Sequence, residues 1–146
     1  MWKLRVALFA LLTIALVSCK KEAPPAAKPE PLFHNLLLIT IDTLRADALS
    51  VYGGKTPVPF LESFARNATV FNHAFTSAPI TLPAHTSLMT GLYPPAHGVR
   101  NNGTFRAPES LHLLAEYAKH NGMSTGAVIG GFPLAAQFGL NQGFDF

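Results

Sequence analysis

The chain has 146 residues, one cysteine and a formal net charge of +3, and that charge is unevenly spread. From Leu32 onward six basic side chains (Arg45, Lys55, Arg66, Arg100, Arg106, Lys119) balance six acidic ones (Asp42, Asp47, Glu62, Glu109, Glu116, Asp145), so the basic excess lies in the stretch before them and is no argument for nucleic-acid binding. Cys19 alone excludes a scaffold built on intrachain disulfides.

Met1 to Arg5 is short and basic, and Val6 to Val17 is apolar and uncharged. A bilayer needs roughly 20 apolar residues, so this segment reads as a secretory leader rather than a transmembrane helix. It closes on Leu16-Val17-Ser18-Cys19, which resembles the lipobox of bacterial lipoproteins. That resemblance implies lipidation of Cys19 and a membrane anchor at the bacterial cell envelope, facing the periplasm or exterior. An ordinary signal peptide with a chance cysteine is the alternative. Residues 20–33 form an expected tether, because Lys20 to Pro31 is proline-rich and polar and would extend over about 37 Å at ~3.1 Å per residue. The division is therefore 1–19 leader, 20–33 tether and 34–146 folded body.

In the body, Asn35 to Asp42 reads as a buried strand that ends on a carboxylate, the end at which open α/β sheets place their ligands. Burying Asp42 there is costly unless a cation or hydrogen bonds compensate. Asp47 to Val51 predicts one helical turn, ended by Gly53-Gly54, with Asp47 capping it and pairing with a local arginine instead of a metal. Pro57 to Ala68 predicts a helix with Phe60, Leu61, Phe64 and Ala65 at helical spacing. Thr69 to Phe75 alternates and reads as a strand. Pro83 to Thr90 predicts a short helix stopped by Gly91.

Pro108, Glu109 and Ser110 are expected to open the next helix, with Leu111, Leu114, Ala115 and Ala118 on one face and Asn121-Gly122 at its end. Ser124 to Gly130 reads as a further buried strand. This order predicts an α/β fold, a mostly parallel sheet flanked by helices with right-handed crossovers. Gly139 to Phe146 is apolar and punctuated by glycine, and the body is expected to be the N-terminal, incomplete portion of its domain.

Thr81 precedes Pro83, a residue that prefers the first helical position, so its hydroxyl is expected beside the unpaired N–H groups at the positive end of a helix. Such a place suits an oxyanion, although a mere cap or turn residue fits the same local pattern. Asp42 and Thr81 facing one crevice point to metal-assisted ester hydrolysis. The other histidines carry less: His73 and His97 read as hydrogen-bonded structural residues, and His34, His112 and His120 as surface positions. Gly53-Gly54-Lys55-Thr56 fails as a phosphate loop because Leu49 stands where a glycine is required.

The run Thr81-Leu82-Pro83-Ala84-His85, followed by Thr90-Gly91-Leu92-Tyr93-Pro94, resembles the signature of the sulfatase family within the alkaline phosphatase superfamily. So do Leu38-Ile39-Thr40-Ile41-Asp42, Leu44-Arg45-Ala46-Asp47 and His97-Gly98-Val99-Arg100. Against that family's pattern, Thr81 replaces the cysteine or serine that becomes formylglycine, His85 replaces an arginine, and Thr43 replaces the second of two aspartates. The lysine and histidine often found near Val128 to Phe132 are missing.

These positions are more similar to the nucleotide pyrophosphatase/phosphodiesterase branch. That resemblance implies a threonine nucleophile at Thr81 and one divalent metal, zinc first with calcium or manganese as alternatives, held by Asp42 and the Thr81 oxygen. It also implies substrate contacts from Asn102 and His85. Attack by Thr81 would give a covalent phospho- or sulfo-threonine that water then hydrolyses. The expected partner is a small-molecule phosphate or sulfate ester, with phosphate ranked first and no nucleic acid. The alternative is a non-catalytic, truncated lipoprotein that binds a ligand or partner; the superfamily's remaining metal ligands are expected beyond residue 146.

Overall fold

The structure is a computed structural model that describes residues 34–146. The expected leader, the lipidation site Cys19 and the tether lie outside the described residues. Residues 37–146 make up one unit.

Helix α1 spans Pro59–Ala65, α2 Thr81–Thr90, α3 Pro94–His97 and α4 Leu114–His120. Single 3-10 turns occupy Ala46–Ala48, Ser50–Tyr52, Phe132–Leu134 and Ala136–Phe138. Helix α2 is central, packing against α3, α4 and the Phe132–Leu134 turn. Its Leu82 joins Val99, Ala107, Leu113, Phe138 and Leu140 in the buried core, with Met89, Leu111, Leu134 and Ala135 packed on them. Gly91 at φ +70° ends α2 in the left-handed conformation that residues with a Cβ resist.

The expected parallel sheet is not seen among the described residues, where the sole bridge is an isolated parallel one between Leu49 and Thr56. Residues 37–41 and 69–75 form no backbone hydrogen bond to another described residue. Their side chains stand open: Leu37 is 83% and Phe75 89% exposed. Strands of a parallel sheet gain stability from neighbours on both sides and helices on both faces, and no described segment pairs with these through the backbone. Residues 124–130, also expected as a buried strand, leave Val128 fully exposed. They are tied instead to the chain end, through Asp145 N–H to Thr125 O (2.9 Å) and Ala127 N–H to Phe146 O (3.0 Å).

The helix expected from Pro108 starts only at Leu114. The Glu116 carboxylate accepts the Leu113 N–H at 2.8 Å, half of a capping box, and this fixes the start of α4 there. Pro108 to Leu111 is a separate turn closed by Leu111 N–H to Pro108 O, and it lets Leu113 enter the core. The single turn expected over Asp47 to Val51 is two 3-10 turns meeting at Leu49. Helix α1 is shorter than the predicted 57–68, and its Phe60 and Phe64 face solvent.

Candidate active site

Helix α2 begins on Thr81 itself, with Ile80 as the extended residue before it. Pro83 therefore occupies the third helical position instead of the first. The physical consequence is small, because an N–H there has no intrahelical partner in any case. Ile80 offers no side-chain acceptor, and the cap comes from a distant turn: Asn102 Oδ1 accepts the Leu82 N–H at 2.9 Å. That bond fixes the Asn102 amide so that Nδ2 is its free donor. The Thr81 N–H has no partner among the described residues.

Thr81 Oγ1 donates to Asp42 Oδ2 at 3.1 Å across 39 positions of sequence. The other carboxylate oxygen, Oδ1, accepts the N–H of Thr43 at 2.9 Å. Thr43 has φ +57°, the single non-glycine residue at positive φ among the described residues. A β-branched side chain there is strained, and such strain clusters at functional sites. The bend turns the chain sharply just after Asp42.

His85, one helical turn after Thr81, donates from Nδ1 to the Thr81 carbonyl at 2.8 Å, and its Nε2 lies 3.1 Å from Thr40 Oγ1. Asp42, Thr81, His85 and Asn102 thus line one open cleft of roughly 1010 Å³, with Phe75, Leu92 and Tyr93 among its apolar walls. All four candidates named from the sequence in the body come together. Thr40 and Thr43 were not singled out for a role there; the signal available for Thr40 was its position two residues before Asp42, on the same side of an extended chain.

Asp47 does not cap its turn, since it lies inside Ala46–Ala48 and no side chain caps that end, but it pairs with a local arginine as expected. Its carboxylate holds Arg45 through Nε at 2.9 Å and Nη2 at 2.5 Å, and this guanidinium keeps the Asp47 carboxyl below its ordinary value. His97 is structural: it is 1% exposed, accepts the Val99 N–H on Nδ1 at 3.1 Å, and so donates from Nε2 to Ser87 Oγ at 2.9 Å. Burial pushes its pKa down.

Among the described residues no three His, Cys, Asp or Glu side chains cluster closely enough to hold a metal ion. Asp42 and Thr81 supply two hard oxygen donors on the cleft wall, which fits part of a divalent-cation site.

The family model described as Sulfatase matches residues 34–146. The mouse (Mus musculus) steryl-sulfatase is 33% identical over 138 residues, 86% of this chain and 22% of that protein. The ulvan-active sulfatase of Formosa agariphila is 31% identical over 117 residues, 79% of this chain and 23% of its own. Human (Homo sapiens) bis(5'-adenosyl)-triphosphatase ENPP4 is 34% identical over 81 residues, 53% of this chain and 17% of that protein. The chain thus spans about a fifth of the length of these curated relatives. No solved structure gives a significant match. With the family model matched along the whole described body, the chain belongs to the sulfatase family, whose hydrolases are built on an α/β fold of the alkaline-phosphatase type.

Proposed function

We propose that the protein is a metal-dependent hydrolase of phosphate or sulfate esters that uses Thr81 as its nucleophile, on a lipid-anchored protein of the bacterial cell envelope. The carrying observation is the 3.1 Å hydrogen bond from Thr81 Oγ1 to Asp42 Oδ2 at the start of α2, inside the cleft. A carboxylate there orients the hydroxyl and receives its proton density as it attacks. Asn102, held by the Leu82 N–H, keeps Nδ2 available for a non-bridging oxygen of the ester, and the Thr81 N–H is a second donor at the positive helix end.

Attack of Oγ1 on phosphorus or sulfur forms the threonyl ester and releases the alcohol, which takes a proton from solvent. Water then cleaves that ester and regenerates the hydroxyl. A bound divalent cation, zinc first with calcium or manganese as alternatives, would lower the hydroxyl pKa and offset the developing negative charge, with Asp42 and Thr81 among its ligands. Threonine favours phosphate over sulfate esters in this reading, because it cannot become formylglycine. Similarity to a bis(5'-adenosyl)-triphosphatase supports that order, and similarity to a steryl-sulfatase supports sulfate. The parallel sheet belongs to the proposal too, with the segments ending at Asp42 and at Gly130 as its strands.

The test is hydrolysis of aryl phosphate diester, phosphate monoester and sulfate ester by the protein at its full natural length, with zinc, manganese or calcium. Phosphate-ester turnover that Thr81→Ala lowers by at least about 10³-fold is expected. Preferential sulfate turnover reverses the substrate order, and full activity of Thr81→Ala overturns the nucleophile. The incomplete donor set favours a second reading for these 146 residues by themselves, ligand binding without turnover.

A further inference from the structure

Residues 37–44 form no backbone hydrogen bond to the rest of the described body. The hydrogen bonds that tie this segment to the described residues beyond it are two side-chain pairs: Thr81 with Asp42, and Thr40 with His85. The second pair is connected to the first at both ends. Thr40 lies two residues before Asp42, and the His85 ring donates from Nδ1 to the carbonyl of Thr81 at 2.8 Å. In the neutral ring this leaves Nε2 to accept the Thr40 hydroxyl at 3.1 Å. Both ring nitrogens are thus engaged by the protein, and neither is left for a substrate oxygen.

We infer that His85 is a positioning residue: its ring joins the Thr81 main chain to Thr40 and so sets the separation between the Asp42 carboxylate and the Thr81 hydroxyl, without contacting substrate. This rests on the reading of Thr81 as nucleophile, and it gives His85 a role different from the substrate contact implied by the family resemblance. An imidazole suits the task because it is rigid and its two nitrogens face opposite ways. From a helix it bridges its own preceding turn, four residues back, to a separate chain. Misplacing a nucleophile by about 1 Å is enough to cost on the order of 10²-fold in rate.

The experiment compares Thr81→Ala, His85→Ala, Thr40→Val and the Thr40→Val/His85→Ala double variant in the protein at its full natural length, using an aryl phosphate diester. Circular dichroism and Tm establish folding of each. His85→Ala is expected to lower kcat by about 10- to 100-fold with KM changed less than about 3-fold. Thr40→Val is expected to lower kcat in the same way, and the double variant to be no worse than His85→Ala, because the two residues act as one unit. Imidazole 15N shifts should report the Nδ1–H tautomer for His85 and, in Thr40→Val, a change at Nε2 as its hydroxyl donor is lost while Nδ1–H stays on the Thr81 carbonyl, a signature that general destabilisation does not produce.

A raised KM with kcat kept, or additive effects in the double variant, overturns the proposal. Should His85→Ala fail to fold, Thr40→Val carries the test, since it removes one exposed hydroxyl. If Thr81→Ala is inactive while Thr40→Val keeps native kcat and the native Nε2 shift, the positioning role falls and the nucleophile stands. If Thr81→Ala stays active, both fall.

Discussion

His97 shows how much one buried ring does for this body. Its Nδ1 satisfies the Val99 N–H and its Nε2–H is spent on Ser87, so protonation would place a second N–H against a donor. Burial lowers its pKa below the ordinary 6.5. The unfolded chain then takes up a proton as pH falls through about 6.5 while the folded chain does not, and stability is lost from there down to the folded pKa. Denaturant titrations between pH 8 and pH 5 should show this decline. His97→Gln should flatten it while lowering stability at pH 8 by about 1–3 kcal/mol, the usual cost of leaving buried partners unmatched. A decline that persists unchanged in His97→Gln would assign the titration elsewhere.

At the same scale, sequence reading placed most of the histidines: His97 is the hydrogen-bonded structural residue expected and His34, His112 and His120 are exposed, but His73, expected to be structural as well, is exposed and makes no side-chain hydrogen bond among the described residues. It could not foresee φ +57° at Thr43. Threonine disfavours that conformation, and only the contacts around Asp42 reveal where the chain must bend.

Among the elements, α2 and its stop at Gly91 were legible because glycine after a helical run has a strong local cause. The start of α4 was not. A proline followed by acidic and hydroxyl residues mimics a helix opening, and the choice between Pro108 and Leu114 was made by Glu116 reaching back to Leu113 and by the core taking up Leu113. Of the three expected strands, those at 35–42 and 124–130 were read from apolar runs and that at 69–75 from alternation. An apolar run records that a segment is meant to be covered, but pairing depends on neighbours that local pattern cannot supply.

One element contact has a clear pH signature. Lys119 on α4 holds Asp145 at 2.5 Å, and the Thr125 N–H and hydroxyl also donate to that carboxylate at 3.0 and 3.1 Å. Lys119 first, and then Thr125, lower the Asp145 pKa from 3.8 to about 2. The stabilisation is present above the unfolded value and is lost as pH falls through about 2. Acid titration of folded signal from pH 5 to pH 1.5 should therefore be shallower in Asp145→Asn, which is already weakened at pH 5. Identical acid profiles would mean that the clasp contributes nothing.

Viewed whole, the body joins a small core around α2 to long apolar segments that remain open. Among the described residues no helix is long and apolar enough to cross a membrane. Leu37, Ile39, Phe60, Phe71, Phe75 and Val128 are each more than two-thirds exposed, far more apolar surface than an isolated monomer usually presents. The net-neutral charge from Leu32 onward gives little repulsion to keep copies apart. A polypeptide of these 146 residues is expected to self-associate and to bind a hydrophobic dye; light scattering that reports a stable monomer at tens of micromolar would contradict this. The site was more legible than the fold, since Asp42, Thr81, His85 and Asn102 meet in one cleft although the sheet expected to carry them is not seen among the described residues.

The most direct measurement is mass spectrometry of the full-length protein, acid-quenched during turnover of an aryl phosphate diester and digested. A phosphoester adduct is expected on the peptide carrying Thr81, absent from Thr81→Ala. Sustained turnover with no adduct there, together with an active Thr81→Ala protein, would rule out Thr81 as the nucleophile.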